Sequence, residues 1–518
     1  MTRKLAVVLL VAATLRLVIS GVLPVVDPTE GRYAQIAQEM AASGDWVTPR
    51  VWIDNEQVPF LGKPPLFFWA AALSIKVFGA NEFAVRLPSF VAGATLLILI
   101  YVVLFRYFGQ RVALSAFLMT MTSALFFLLS GSVDLDIHLA LFVAGALLSY
   151  LAFAIESDAR IRKRWSLLVF LLLAGGFLTK GPVAIILFGI PVFLWTLWRK
   201  KWDLLPHHAW FAGIPLFALL VIPWFILAEA RNPGFLHYFF IHENLMRYLK
   251  PEYGDLYGTG HPFPHGSAIV MFLLAALPWS VVAAWLVMRQ RWSGLKETLH
   301  DDVRSFLLLG CVANVAFWCF ARQLLPTYMV PMIPMLTAWI AVSARESEVA
   351  PRGHQRTALV TLVVWFVLLV GAMPSLYKDS TREILEEAGR VARELNIPVD
   401  VTFAGRTPHS AFFYLPDNVR AHPKESVVKT VRRVLDSHER RLLIIRPVDF
   451  DRLPARLVAR FLLVGRSDDW LVCVSRKPNS GRVRCTTRPI AGSTRLTSDT
   501  GSDGRFRQPD FQGLTKII

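Results

Sequence analysis

The chain carries cations, carboxylates and a tyrosine whose types and spacing could hold an anionic group and act on it. The cations are Lys63, Arg247, Arg32, Lys180 and Arg322, the phenol is Tyr328, and the carboxylates are Glu30, Asp136, Asp27, Glu243 and Asp134. Preorganised lysines and arginines stabilise a phosphate that gains negative charge as it departs. A carboxylate beside them can orient an acceptor or take its proton. Lys63 leads the set because of its setting in FLGKPPLFFW, residues 60–69. Pro64 and Pro65 lack backbone donors, and a residue before proline is pushed out of the helical region. That holds an ammonium on extended backbone beside Leu66, Phe67, Phe68 and Trp69, an apolar surface suited to a lipid tail.

Each residue also has a plainer reading. Lys63 could snorkel to headgroups, the other cations could serve salt bridges or headgroups, and Tyr328 could belong to an aromatic belt. Asp27-Pro28-Thr29-Glu30 fits a helix start, with an N-cap acid, proline at the first helical position and glutamate at the third. Asp134 and Asp136 could simply face water at the mouth of a span, although acids at such depth are functional by default.

What must position these residues is a membrane. Of 518 residues, 54% are hydrophobic, above the roughly 45–50% of soluble domains. About eleven spans are expected from apolar blocks near 5–25, 87–105, 112–130, 136–155, 166–178, 181–198, 210–228, 267–288, 304–321, 325–343 and 357–374. The basic N-terminal stretch reads as a retained first span rather than a cleaved signal. Every second connection is basic: Arg3 and Lys4, Arg106 and Arg111, Arg160 to Arg164, Arg199 to Lys201, Arg289 to Lys296, and Arg345 to Arg356. The positive-inside bias places that side in the cytoplasm. It also accounts for the net charge of +17 without a nucleic acid partner. The opposite connections, 26–86, 131–135, 179–180, 229–266 and 322–324, face outward and carry or border the candidates.

Residues 1–374 therefore form a membrane domain with long outward loops 26–86 and 229–266. Within the first, Tyr33, Ile36, Ala37 and Met40 recur at helical spacing and read as a short surface helix, and the apolar run 66–78 is too short to span. Residues 375–475 read as a small extracytoplasmic α/β domain. TREILEEAGRVARELN supplies its amphipathic helix, and VDVTFAG, RRLLIIR and WLVCVSR its strands. Residues 476–518 read as a disordered basic tail. Cys311 and Cys319 fall in a span as packing residues, and Cys473 and Cys485 could pair in an oxidising compartment.

At the level of motifs the chain resembles one family. E-x-R-Y-A-x-I-A-x-E-M, G-D-W-x-x-P, K-P-P-L-x-x-W and F-G-x-N-E-F-A-x-R-L-P-S occur in order, followed by LTKGP, HENLMRY, PW and LPTYMVPMIP. This order is similar to the polyprenyl-phosphate-dependent glycosyltransferases related to the aminoarabinose–lipid A transferase and the protein O-mannosyltransferases. The resemblance covers residues 1–345. It implies an α-helical polytopic protein of the C-type glycosyltransferase fold, with about 11–13 transmembrane helices. It also implies that Lys63 holds a lipid phosphate and that Asp136 matches a family aspartate. The expected activity is inverting transfer of a sugar from a polyprenyl (undecaprenyl) phosphate donor to a lipid A, glycan or protein acceptor, at the periplasmic face of the inner membrane. A flippase of a lipid-linked sugar is the alternative, but no internal repeat supports it. No nucleotide-sugar motif is present, and a divalent cation is possible rather than required. The chain departs from the aminoarabinose transferases at Thr29 (aspartate there), Gly62 (glutamate) and Leu324 (lysine), with Arg322 two residues from the last.

Overall fold

The computed structural model describes residues 3–53, 56–251, 257, 261–344, 349–421, 425–437, 440–467 and 469–476. The expected tail, apart from Arg476, and Cys485 with its expected pairing to Cys473 lie outside the described residues. The chain divides into two units, residues 1–382 with 408–417, and residues 383–407 with 418–518. The division thus falls later than the expected 374, and a short piece of the C-terminal region belongs to the first unit.

The first unit is helical. Its opening elements are α1 (Arg3–Val22), α2 (Thr29–Ser43), a hairpin of β1 (Arg50–Ile53) and β2 (Glu56–Pro59), α3 (Leu66–Phe78) and α4 (Glu82–Phe108). Next come α5 (Gln110–Met121), α6 (Ala124–Leu129), α7 (Asp136–Ile155), α8 (Ala159–Lys180), α9 (Val183–Arg199) and α10 (Trp210–Arg231). A π-helix spans Tyr238–Met246, followed by α11 (Ser267–Ala275), α12 (Trp279–His300), α13 (Asp302–Cys319), a 3-10 turn (Pro326–Met332), α14 (Ile333–Ser343) and α15 (Val349–Lys378). Among the described residues, six helices are long and apolar enough to cross a bilayer: Leu5–Val22, Glu82–Phe108, Asp136–Ile155, Trp210–Arg231, Asp302–Cys319 and Gly353–Lys378. Their outer faces leave large apolar side chains uncovered, among them Leu219, Ile226, Val360, Val363 and Val367. This is a multi-pass membrane protein.

Local chemistry sets the helix ends. Gly44 closes α2 in the left-handed conformation, Asn81 caps α4 through Ala84 N–H, and Asp158 caps α8 through Arg160 and Ile161 N–H. Pro64 and Pro65 lead directly into α3, where a missing N–H costs nothing.

Three expected spans are not continuous. The block 112–130 breaks between α5 and α6 at Thr122–Ser123. There Trp365 Nε1 donates to the Thr122 carbonyl at 2.8 Å and Trp279 Nε1 to its hydroxyl at 3.1 Å, satisfying the interrupted backbone. The block 267–288 is bent by 105° between α11 and α12, beside Pro278. The block 325–343 opens as the 3-10 turn because Pro331 and Pro334 remove donors an α-helix would need. The β1–β2 hairpin was not foreseen, its strands being too short for a period-2 pattern.

The second unit contains a five-stranded sheet. Its elements are α16 (Arg382–Glu394, entered from the first unit), β3 (Val401–Ala404), β4 (Val419–Ala421), α18 (Val427–Asp436), β5 (Leu442–Ile445), β6 (Phe461–Arg466) and β7 (Leu471–Ser475), while α17 (His409–Tyr414) lies in the excursion to the first unit. Strand order is β4-β3-β5-β7-β6, with β4, β3 and β5 parallel and β7 antiparallel to both neighbours. The central strands β3, β5 and β7 are buried throughout, in keeping with their largely apolar sequences. Ile384, Leu385, Ala388 and Val391 form the buried face of α16.

Candidate active site

The structure joins the two highest-ranked cations through one acid. Lys63 Nζ donates to Glu243 Oε1, and Arg247 Nη1 reaches the same oxygen at 2.7 Å. Glu243 lies on the π-helix one turn before Arg247, so the non-standard register decides which way its carboxylate faces. Arg247 is held from behind, its Nε donating to Gln323 Oε1 at 3.2 Å. The Gln323 amide in turn donates to the Lys250 and Pro251 carbonyls. Glu243 Oε2 is buried without a hydrogen-bond partner among the described residues. Burial pushes the Lys63 ammonium below the usual lysine value; Glu243 opposes this, while Arg247 and Lys180 add to it.

Beside this group stands a second. Lys180, the last residue of α8, pairs with Asp136, the first residue of α7, and its Nζ lies 3.7 Å from the centre of the Tyr328 ring. Asp134 Oδ1 accepts the Asp136 backbone N–H, so the two aspartates share one turn. Burial raises Asp134 well above the ordinary carboxylate range, and the neighbouring Asp136 adds to the effect. Tyr33 of α2 packs against Phe60, Phe67 and Phe68 with centroid distances of 5.7–6.4 Å. Burial raises its phenol, and α2 meets the loop that carries Asp134, since Glu30 accepts the Val133 N–H and Tyr33 packs on the core that holds Val133 and Leu135. Arg32 Nε is shielded from water and without a hydrogen-bond partner among the described residues.

Other candidates fall elsewhere. Glu30, first among the expected catalytic acids, is engaged by Arg86, which donates to it from Nη2 at 2.7 Å and Nε at 3.2 Å. It also accepts the backbone N–H of Val133 at 2.7 Å and of Val26 at 3.1 Å. Burial alone would raise its pKa, but Arg86 and the two amides hold it below the usual value. Glu30 therefore braces the loop that carries Asp134 rather than meeting Lys63 and Arg247. Asp27 does not cap α2, whose N-cap position is Pro28. Its carboxylate instead accepts the backbone N–H and hydroxyl of Ser410. Arg322 pairs with His265 Nε2 at 2.8 Å, and it is the adjacent Gln323 that reaches Arg247. Phe67 and Phe68, expected to line a lipid groove, are fully buried beside Tyr33. For the possible cation, no group of three or more His, Cys, Asp or Glu among the described residues is arranged to hold a metal.

The sequence reading missed Arg86, Gln323 and Tyr33. Arg86 had a usable signal, because an arginine near the end of an apolar span must find an anion. Gln323 had none.

Residues 1–239 match the family described as dolichyl-phosphate-mannose-protein mannosyltransferase. The chain is 33% identical over 315 residues to an undecaprenyl phosphate-alpha-4-amino-4-deoxy-L-arabinose arabinosyl transferase of Pseudomonas paraeruginosa, covering 59% of this chain and 53% of that one. Its counterpart in Aeromonas salmonicida is 30% identical over 387 residues, covering 70% of this chain and 66% of that one. The matched region thus spans about half the length of the first of these relatives. The fold is similar to that of ArnT from Cupriavidus metallidurans bound to undecaprenyl phosphate, with a TM-score of 0.71 at 20% identity over 93% of this chain and 100% of that one. The apo form of the same protein gives 0.70. Together these matches support a polyprenyl-phosphate-dependent glycosyltransferase of the C-type membrane fold.

Proposed function

We propose that the protein transfers a sugar, with inversion, from an undecaprenyl phosphate donor to a lipid A, glycan or protein acceptor at the periplasmic face of the inner membrane. The observation that carries this is the convergence of Lys63 and Arg247 on a single buried oxygen of Glu243, next to the Lys180–Asp136 pair. Two fixed cations on one anionic position make a seat for a phosphate oxygen.

Chemistry at this seat follows from charge. The bond between the sugar's anomeric carbon and the phosphate oxygen breaks, and its electron pair stays on the phosphate, where Lys63 and Arg247 stabilise it. The acceptor oxygen bonds to the same carbon from the opposite face. If that oxygen is a hydroxyl, Asp136 or Asp134 receives its proton. If it belongs to a phosphate, no proton need move, and the aspartates and Arg32 orient the acceptor. Lys180 pairs with Asp136 and orients its carboxylate. Thr29 stands where the aminoarabinose transferases have an aspartate, which leaves Asp134 and Asp136, beside Lys180, as the carboxylates offered to the acceptor. The C-terminal α/β unit is assigned to the periplasm because every second connection is basic and α15 follows the last basic one.

The test is reconstitution. Purified protein in lipid nanodiscs, given undecaprenyl-phospho-sugar and candidate acceptors, should release undecaprenyl phosphate and form glycosylated product by mass spectrometry. No turnover with pentosyl or hexosyl donors, or donor movement across a bilayer without transfer, would contradict the reading.

A further inference from the structure

The excursion at residues 408–417 leaves the C-terminal unit and belongs to the first one, although chain order ties it to the α/β sheet on both sides. Its short helix α17 packs on α2 at several separate points. Asp27 accepts two N–H and O–H donations from Ser410 in the first turn of α17, which favours an anion there. Ser410 Oγ is also 2.8 Å from Thr381 Oγ1. Gln35 Nε2 lies 2.7 Å from His409 Nδ1. Phe412 stacks on Trp52 with planes 2° apart. Tyr414 Oη donates to Glu82 at 3.0 Å and accepts the Val25 N–H at 2.7 Å. Phe413 enters the same apolar core as Phe67, Phe68, Val133 and Leu135, the last two flanking Asp134. Gly31 marks the closest approach, since a Cβ there would lie 2.7 Å from Ser410 N and 2.6 Å from Asp27 Oδ1. Arg32 and Tyr33 follow it directly.

We infer that residues 408–417 are a positioning element for the transfer site, fixing α2 so that Arg32 and Tyr33 hold their pose against the loop that carries Asp134. Ser410 and Asp27 are its principal positioning residues. The inference rests on the proposed function for its kinetic consequence but not for its structural one. It also gives Asp27 a role distinct from general base, because an acceptor oxygen is all that Ser410 requires.

The test uses the full chain in nanodiscs. Ser410→Ala, Gly31→Ala and Asp27→Ala should each lower kcat about 10- to 100-fold, as misplacement of catalytic groups does. Donor KM should change little, because Lys63 and Arg247 are untouched. Asp27→Asn, which keeps an acceptor oxygen, should retain activity within about threefold of wild type. Amide exchange across residues 29–43 should quicken in Ser410→Ala and Asp27→Ala but not in Asp27→Asn. Should those variants fold poorly, His409→Ala removes the bond to Gln35 and should show a smaller effect of the same kind. Asp27→Asn as inactive as Asp27→Ala would overturn the inference, as would unchanged kcat in Ser410→Ala. If wild type transfers no sugar, the functional reading falls, and unaltered exchange in Ser410→Ala would separately overturn the positioning role.

Discussion

Two carboxylates, Glu30 and Glu243, each meet an arginine, yet they are built for opposite purposes. Glu30 is saturated: each oxygen accepts one bond from Arg86 and one from a backbone amide. Arg86 is equally committed, donating also to the Ser20, Leu23 and Pro24 carbonyls. Glu243 is unbalanced, with Lys63 and Arg247 on one oxygen and nothing among the described residues on the other. A saturated pair can only hold structure, because any newcomer would have to break several bonds. An unbalanced one has cations to lend. The contrast separates scaffold from site more clearly than residue type does.

The largest effect expected from this contrast is on folding. Arg86→Ala strands Glu30 in a buried setting, and losing one partner of such a pair costs about 3–5 kcal/mol. Folded yield in membranes should collapse, whereas normal thermal stability would show that the pair is not scaffold. The same pair carries a pH signature. Glu30 is held below its ordinary value of 4.5, so its contribution is complete above that pH and is lost as pH falls through the folded value. Glu30→Gln should therefore flatten the acid limb of the stability curve.

Lys63→Ala should come next, leaving the protein folded but reducing transfer about 100-fold or more, as loss of a donor to a developing anion does. Wild-type turnover would remove Lys63 from the site. Gln323→Ala should release Arg247 and raise donor KM about tenfold, in line with a hydrogen bond to a charged group; an effect confined to kcat would point to a different role. The smallest effect should have the opposite sign. Glu243→Gln withdraws the negative charge that competes with phosphate, so undecaprenyl phosphate should bind about three- to tenfold more tightly. Weaker binding would mean that Glu243 orients the cations instead of standing in for the ligand.

Much of this was legible in the sequence for physical reasons. Span-length apolar blocks announce a membrane protein, and a lysine before two prolines has few structural uses. Strand runs buried on both faces, such as LLII in β5, are readable because every residue must be apolar. What escaped was determined across long sequence separations. Asp27 looked like a local cap because it precedes Pro28 by one residue, yet its partner lies at Ser410. Glu30 looked catalytic because its partner, Arg86, sits in another helix. Phe67 and Phe68 looked like a lipid surface because period and hydrophobicity do not say which side of a helix meets a neighbour. The breaks in three spans were similarly hidden, since tryptophans from α12 and α15 make one of them affordable.

The central claim is that Lys63 and Arg247 hold the donor phosphate at the position now filled by the Glu243 carboxylate. Its most direct test is a cryo-EM structure of the full chain in nanodiscs with undecaprenyl phosphate. The phosphate should lie within hydrogen-bond distance of Lys63 Nζ and the Arg247 guanidinium, with Glu243 Oε1 moved off both. A phosphate bound elsewhere, with the Lys63–Glu243–Arg247 contacts intact, would contradict the account.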